Sequence, residues 1–238
     1  MTELHSCVEV HPPGESFESG AGKAAIGVTG SRNELALARD RKWQVGQELR
    51  IRFLDGDARG RSLVERYART WLEYANLRFV FGDHANAELR ITFTGSGNWS
   101  YIGTAAQRIH PTEPTMQLGG LADVNPPDLA RRFVLHEFGH ALGCVHEHSS
   151  PVAEIPWDES AVYAHYRSSG WDDDQIRHNV LHRESPMETD FSSYDPDSIM
   201  QYPVPAELTT GGFEIPWNTD LSAGDKNFIA QLYPFREE

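Results

Sequence analysis

Residues 136–146 read His-Glu-Phe-Gly-His-Ala-Leu-Gly-Cys-Val-His and fit the pattern HExxHxxGxxH at all of its fixed positions. His136 and His140 are four residues apart, so on a helix their rings lie one turn apart on the same face and can bind one metal ion together. Gly143 can adopt the left-handed conformation that ends a helix, which lets the chain turn back and present His146 as a third ligand. Three imidazoles with an open coordination position predict one catalytic zinc ion rather than a closed structural site.

Glu137 lies on the same side of this predicted helix as the two histidines. It is close enough to act as a general base on a water at the metal without being a ligand itself. Histidines on an apolar helix are often ordinary core residues, and a lone HExxH arises by chance. The glycine and the third histidine at fixed spacing favour the metal site over that alternative.

The composition predicts a folded protein with a substantial core. A chain of 238 residues with 39% hydrophobic content fits one large domain or two closely packed lobes. Cys7 and Cys144 can form at most one bridge, which excludes a disulfide-dense scaffold. The net charge of −14, from 21 basic and 35 acidic residues, argues against nucleic acid or an anionic membrane as partner.

The N-terminal residues lack the basic and apolar regions of a signal peptide, and no apolar run is long enough to span a bilayer. As written, the sequence predicts a cytoplasmic protein, or a secreted one if it is truncated or exported by another route. We expect a monomer that acts on a peptide or protein substrate.

The chain divides into an N-terminal extension and a folded body. Residues 1–42 are rich in Gly, Pro, Ser and charge and show little periodicity, which predicts an extended or loosely packed segment. Residues 43–238 are expected to form a single domain, with an upper lobe at 43–146 that includes the active-site helix and a lower lobe at 147–238 with few regular elements.

Alternation and helical spacing predict the elements of the body. The predicted strands are 48–54, 77–81, 88–94, 99–103 and 115–118, and the predicted helices are 61–76, 159–167, 172–182 and 223–233. Asn125-Pro126-Pro127-Asp128 predicts the start of the active-site helix, with a capping side chain and a proline in the first turn. Ser222 with Asp225 predicts a capping box at the last helix.

A second signal lies downstream at Ser198-Ile199-Met200-Gln201-Tyr202. Together with the zinc motif, it resembles the metzincin zinc endopeptidases and, within them, the astacin family. In that clan a methionine-bearing turn runs beneath the zinc, and in astacins a tyrosine two residues after the methionine reaches toward it. Glu147, directly after the third histidine, and Ser100-Tyr101-Ile102-Gly103 extend the match.

The resemblance implies an α+β, metzincin-like fold. Its upper lobe would contain a twisted, mostly parallel sheet and two helices, and its irregular lower lobe would end in a C-terminal helix. By the same analogy, Thr115 to Gly119 would be the edge strand on which an extended peptide docks by backbone pairing. Tyr202 would steady the oxyanion during catalysis.

The chain also departs from the family. Astacins carry two disulfides in the catalytic domain, which two cysteines cannot provide, so the chain resembles a divergent member. Family members are usually secreted as zymogens whose cleavage buries a new N-terminus near the glutamate after the third histidine. Glu147 occupies that position here, yet the sequence does not decide whether residues 1–42 are removed or pack on the surface.

The two cysteines are also candidate functional residues. Cys7 is either a latency thiolate that binds the zinc or an ordinary cysteine near His5 and His11. Cys144 is expected to be a small buried residue. Asp172-Asp173-Asp174 reads better as the acidic first turn of a helix than as a calcium loop.

The sequence therefore predicts a zinc-dependent endopeptidase with Glu137 as general base and Tyr202 as a second catalytic residue. The alternative for Tyr202 is an ordinary core or surface aromatic residue, and Met200 is expected to serve packing rather than chemistry. Two alternatives are a dedicated peptide-precursor processing protease and a zinc-binding interaction module that has lost proteolysis.

Overall fold

The computed structural model describes residues 37–38, 41–183, 189–190 and 194–235, and its α+β architecture is the predicted one. Its centre is a five-stranded sheet whose strands are β2 (Glu48–Phe53), β3 (Arg78–Phe81), β4 (Leu89–Thr92), β5 (Asn98–Ser100) and β6 (Met116–Leu118). A separate antiparallel pair joins β1 (Leu37–Ala38) to β7 (Thr189–Asp190).

The sheet is mostly parallel, as expected. Its strand order is β3-β2-β4-β6-β5, and only the pairing of β5 with β6 is antiparallel. Leu49 and Ile51 alternate with more exposed residues along β2 and are completely buried, which explains why this stretch forms a strand.

The prediction of Thr115 to Gly119 as the edge strand is wrong. Met116 in β6 pairs with Ile91 on one side and with Ser100 on the other, so β6 is an interior strand. The edge strand at this end of the sheet is β5, whose outer side has no neighbouring strand in the described sheet, and β3 is the edge strand at the other end. Both segments are short, and their order depends on long-range pairing that local patterning does not encode.

The first helix, α1, spans Ala58–Ala68 and continues as a 3₁₀ turn at Arg69–Glu73. It begins three residues before the predicted start because the Asp57 side chain accepts a hydrogen bond from Gly60 N at 2.7 Å and caps the helix there.

The active-site helix, α2, spans Pro127–Ala141 and packs against α1 and the sheet. Pro127 occupies the first turn as predicted. The predicted capping side chain is wrong, because Pro126 takes the N-cap position and no side chain caps the helix. The Trp71 indole donates to Leu135 O at 3.0 Å, and Phe138 packs on Phe79 with ring centroids 5.5 Å apart.

Residues 147–238, the predicted lower lobe, include α3 (Glu159–Ser168), α4 (Asp173–Ile176) and α5 (Ala223–Leu232). The predicted helix at 172–182 is only partly correct, since α4 passes into a π-helix at Arg177–Leu181. There the Asn179 side chain donates to Gln175 O at 2.9 Å and competes with the regular ladder. No helix in the described ranges is long and apolar enough to cross a bilayer.

The acidic run and the last capping box form as predicted. Asp172 caps α4, and Asp173 and Asp174 lie in its first turn. Ser222 and Asp225 form the capping box of α5.

The end of α2 is held by residues from distant parts of the chain. The Trp43 indole donates to Ala141 O at 2.7 Å, and the Tyr233 hydroxyl donates to Leu142 O at 2.7 Å. Trp43 N also donates to the Tyr233 hydroxyl at 3.2 Å. These bonds satisfy carbonyls that the helix itself leaves without partners and fix where the zinc motif turns back.

Candidate active site

The structure brings the three motif histidines together in the interior. One ring nitrogen from each of His136, His140 and His146 lies within 4.8 Å of the others. All three side chains are at most 3% exposed. The cluster forms at the end of α2, where Gly143 takes a φ of 109° and Cys144 N donates to Gly139 O at 3.0 Å. That left-handed step is the turn that the sequence predicts at Gly143.

Backbone carbonyls orient two of the rings. His136 Nδ1 donates to Ile199 O at 2.8 Å, and His140 Nδ1 donates to Cys144 O at 2.8 Å. A carbonyl only accepts, so each Nδ1 carries the proton and each Nε2 presents a lone pair. His140 Nε2 lies 3.0 Å from His146 Nε2, and His136 Nε2 is buried without a hydrogen-bond partner among the described residues. Converging neutral imidazole nitrogens of this kind fit a zinc ion.

The surroundings favour the neutral form of His136 and His146. Burial is the main reason that the pKa values of His136 and His146 lie well below the usual value, and the neighbouring His140 lowers both further. Arg132 adds a positive charge near His136. Neutral imidazole is the form that binds a metal, so the cluster is poised for coordination without first losing protons.

Cys144 takes part through its backbone rather than its thiol. It is completely buried, and burial raises the pKa of the thiol above its usual value. Cys144 is thus the small buried residue that the sequence predicts. Cys7, His5 and His11 lie outside the described residues.

The turn at Ser198–Tyr202, called the Met-turn below, lies beneath α2. Met200 is completely buried, and a Cβ atom placed at Gly139 would overlap its sulfur atom. The Asp225 carboxylate accepts hydrogen bonds from Ser198 Oγ at 2.7 Å and from Ile199 N at 2.8 Å. Since Ile199 O orients His136, Asp225 supports a predicted metal ligand from the far end of the chain.

Glu137 and Tyr202 meet at one small cavity. Glu137 is 1% exposed and Tyr202 is 8% exposed. The Tyr202 ring centroid lies 4.4 Å from that of His146 and 6.0 Å from that of His136. The cavity is lined by Asn98, Arg132, Phe133, His136, Glu137, Tyr202 and Trp217.

Arg132 was not identified from the sequence. Its guanidinium donates to Asn218 O at 2.6 Å and to Gln201 O at 2.8 Å, and it lies 4.7 Å from the centre of the Trp217 ring. It thereby connects α2 to the Met-turn and to the segment before α5. Its position four residues before His136 on the same helix face is the signal that could have pointed to it.

Glu147 is buried behind the site at 1% exposure. Asp195 N donates to its Oε1 at 2.8 Å, yet burial raises the pKa of Glu147 to about 8. In the resembling family a new N-terminus lies near this carboxylate, but the sequence leaves open whether residues 1–42 are removed here, and residues 1–36 and 39–40 lie outside the described ranges.

The chain is similar to known proteins along most of its length. A solved structure of myroilysin is 40% identical, with a TM-score of 0.82, over 85% of this chain and 100% of that chain. A crystal structure of myroilysin is 34% identical, with a TM-score of 0.70, over 98% of this chain and 93% of that chain. High choriolytic enzyme 1, a hatching enzyme zinc-protease from the medaka fish Oryzias latipes, shares the fold at 18% identity and a TM-score of 0.57, over 82% of this chain and 96% of that chain.

One curated relative is longer than this chain. Nematocyst expressed protein 6 of Nematostella vectensis is 27% identical over an alignment of 195 residues, and the alignment covers 72% of this chain and 58% of that protein. The chain thus spans little more than half the length of this curated relative. No protein-family model matches the chain.

Proposed function

Because this chain belongs to the astacin family of zinc metalloproteases, we propose that His136, His140 and His146 hold its one catalytic zinc and that Glu137 and Tyr202 are the catalytic residues. The protein is a zinc-dependent endopeptidase that acts on peptide or protein substrates. The observation that carries the proposed ligand set is the convergence of the three buried rings, since one ring nitrogen from each of His136, His140 and His146 lies within 4.8 Å of the others.

His136, His140 and His146 would hold the zinc ion, which would supply an acidified water and polarise the scissile carbonyl. The Glu137 carboxylate accepts the proton of the attacking water and passes it to the leaving amine nitrogen. Its burial supports this role, because a carboxylate in a site with little water exchanges protons with the reactants rather than with solvent.

Tyr202 is proposed to donate its hydroxyl proton in a hydrogen bond to the carbonyl oxygen as negative charge builds there. The proximity of its ring to His146 and its place on the cavity wall beside Glu137 support this role. An extended substrate would pair with the outer edge of β5, the open edge of the sheet, where Asn98 also lines the cavity.

We further propose that residues 43–238 form a single catalytic domain preceded by an extension at 1–42, and that the protein acts as a monomer without nucleic acid or membrane partners. Among the described residues, the exposed large apolar side chains are Val45, Val152, Phe213 and Phe235, which are scattered along the chain. A light-scattering mass near twice 26.8 kDa would contradict the monomer.

Glu137→Gln tests the mechanism. The amide keeps the shape of the side chain and cannot take a proton, so peptide cleavage should fall by at least about a hundredfold while the zinc content stays at one ion per chain. Asp128→Asn, the same chemical change at an exposed position of α2, is the matched control and should keep full activity. Full activity of Glu137→Gln would contradict the proposed base. A zinc-loaded wild-type protein inert toward a proteome-derived peptide library would indicate an interaction module instead.

A further inference from the structure

We propose that His148 is a positioning residue that fixes the ring of Tyr202. This inference rests on the proposed catalytic role of Tyr202 and adds to it the residue that holds that side chain in place. His148 lies two residues beyond the last metal-binding histidine of the motif and is only 3% exposed.

The two rings are stacked. Their centroids are 4.5 Å apart and their planes differ by 19°, so His148 covers one face of the Tyr202 ring. His146 approaches the same tyrosine at 4.4 Å with planes inclined by 42°. Two proposed zinc ligands, His136 and His146, thus contact Tyr202, and His148 is the third imidazole against its ring.

His148 is anchored away from the metal cluster. Its Nε2 lies 2.9 Å from Asn179 O, and because a carbonyl only accepts, that nitrogen donates. The bond fixes the plane of the imidazole. Asn179, whose carbonyl accepts from His148, belongs to the π-helix at Arg177–Leu181.

The anchor is rigid because the π-helix belongs to a hydrophobic core of its own. Ile176 and Val180 pack there with Val162, Tyr166 and Leu208, and all five are buried. A chain of contacts thus runs from this second core through Asn179 O and His148 to the face of Tyr202. Departures from regular α-helix of this kind often occur at functional sites.

This arrangement predicts an effect on turnover rather than on substrate binding. The backbone of Tyr202 is held by the Met-turn, but its side-chain torsions depend on neighbouring groups. Loss of the stacking face lets the hydroxyl leave the position from which it meets the developing oxyanion. Because that hydrogen bond matters only in the transition state, kcat should fall while KM stays nearly constant.

A double-mutant cycle with His148→Leu and Tyr202→Phe tests the proposal on the full-length, zinc-loaded protein. With Tyr202 present, His148→Leu should lower kcat by about two- to tenfold, the range expected from one aromatic stacking contact. With Tyr202→Phe, the hydroxyl is absent, and the same His148 substitution should cause no further loss of kcat. Zinc content is measured for all four proteins.

His148→Phe keeps a stacking ring without the bond to Asn179 and should recover part of the lost kcat. It also completes the cycle if His148→Leu does not fold. His110→Leu is the matched control, because His110 is exposed, has a local hydrogen bond to Thr112, and is not part of the contacts between the second core and Tyr202, so kcat should stay unchanged.

The outcomes separate the two proposals. If Tyr202→Phe alone leaves kcat unchanged, the role of Tyr202 in the proposed function is wrong. If Tyr202→Phe lowers kcat but the His148 substitution causes the same loss in both backgrounds, or if it removes the zinc, His148 does not act through Tyr202 and the inference is overturned.

Discussion

The active-site helix packs closely against the Met200 side chain at Gly139. Alanine usually stabilises a helix interior relative to glycine by about 1 kcal/mol. Here the added methyl group would overlap the Met200 sulfur and approach the Trp71 ring, and both side chains are fully buried. We therefore expect Gly139→Ala to destabilise the fold by about 1–3 kcal/mol, as overpacking does, and to lower Tm in thermal unfolding. A Gly139→Ala protein as stable as the wild type would contradict this packing.

The residues that the motif names could be predicted from the sequence because helical spacing is local. His136, His140 and the turn at Gly143 are brought together by contacts within eleven positions of the chain. Asp225 and His148 have no such signal. Asp225 looks only like a helix cap, and its contact with Ile199 arises because α5 packs beside the Met-turn.

Strand β2 and the start of β4 are joined by an ion pair that makes stability depend on pH. Glu88 accepts hydrogen bonds from Arg50 N at 2.8 Å, from Nε at 3.1 Å and from Nη2 at 2.6 Å. Burial alone would raise the pKa of Glu88, but these bonds and the charge of Arg50 lower it overall. The stabilisation is therefore present above the unfolded pKa of about 4.3 and is lost as pH falls through the lower folded value.

Glu88→Gln should accordingly lower Tm at pH 7, by an amount equivalent to about 1 kcal/mol or less, since the Arg50 side chain is 39% exposed. The difference from wild type should vanish when thermal unfolding is measured well below pH 4. Arg50→Gln should show the same loss, and the double variant should add little to it. A Tm difference independent of pH would mean that the contact stabilises through packing alone.

Most strands and helices could be predicted from the sequence. The residues at which they begin and end, and the order of the strands in the sheet, could not. The strands and helices of the body follow from apolar periodicity, yet α1 starts early because of Asp57 and the 172–182 helix changes type at Asn179. The edge position of β5 was missed because strand order is a property of the assembled sheet.

Zinc removal tests how the site is coupled to the whole molecule. A large core of apolar side chains holds the sheet, α1 and α2 together, so the protein should keep its secondary structure without zinc. Zinc binds the folded site, and at a free concentration of about 100 times Kd it should add about 2.7 kcal/mol of stability. Chelation should therefore abolish cleavage, lower Tm and leave the far-UV circular dichroism nearly unchanged.

Glu137→Gln should show the same zinc-dependent rise in Tm, whereas His140→Ala should not. Loss of the circular dichroism signal on chelation would show instead that the metal is required for folding itself.

The hydrogen bonds that hold the C-terminal end of the active-site helix have a consequence for the synthesis of the protein. Trp43 donates a hydrogen bond to Ala141 O, and Tyr233 donates one to Leu142 O. The His136 ring is oriented by Ile199 O, and the backbone N–H of Ile199 donates to the Asp225 carboxylate. A ribosome that has just completed the zinc motif has not yet synthesised two of these three supports. The nascent chain therefore contains the three histidines long before the residues that support the active site have been synthesised. Peptidase activity should appear only after residue 233 has left the ribosomal exit tunnel.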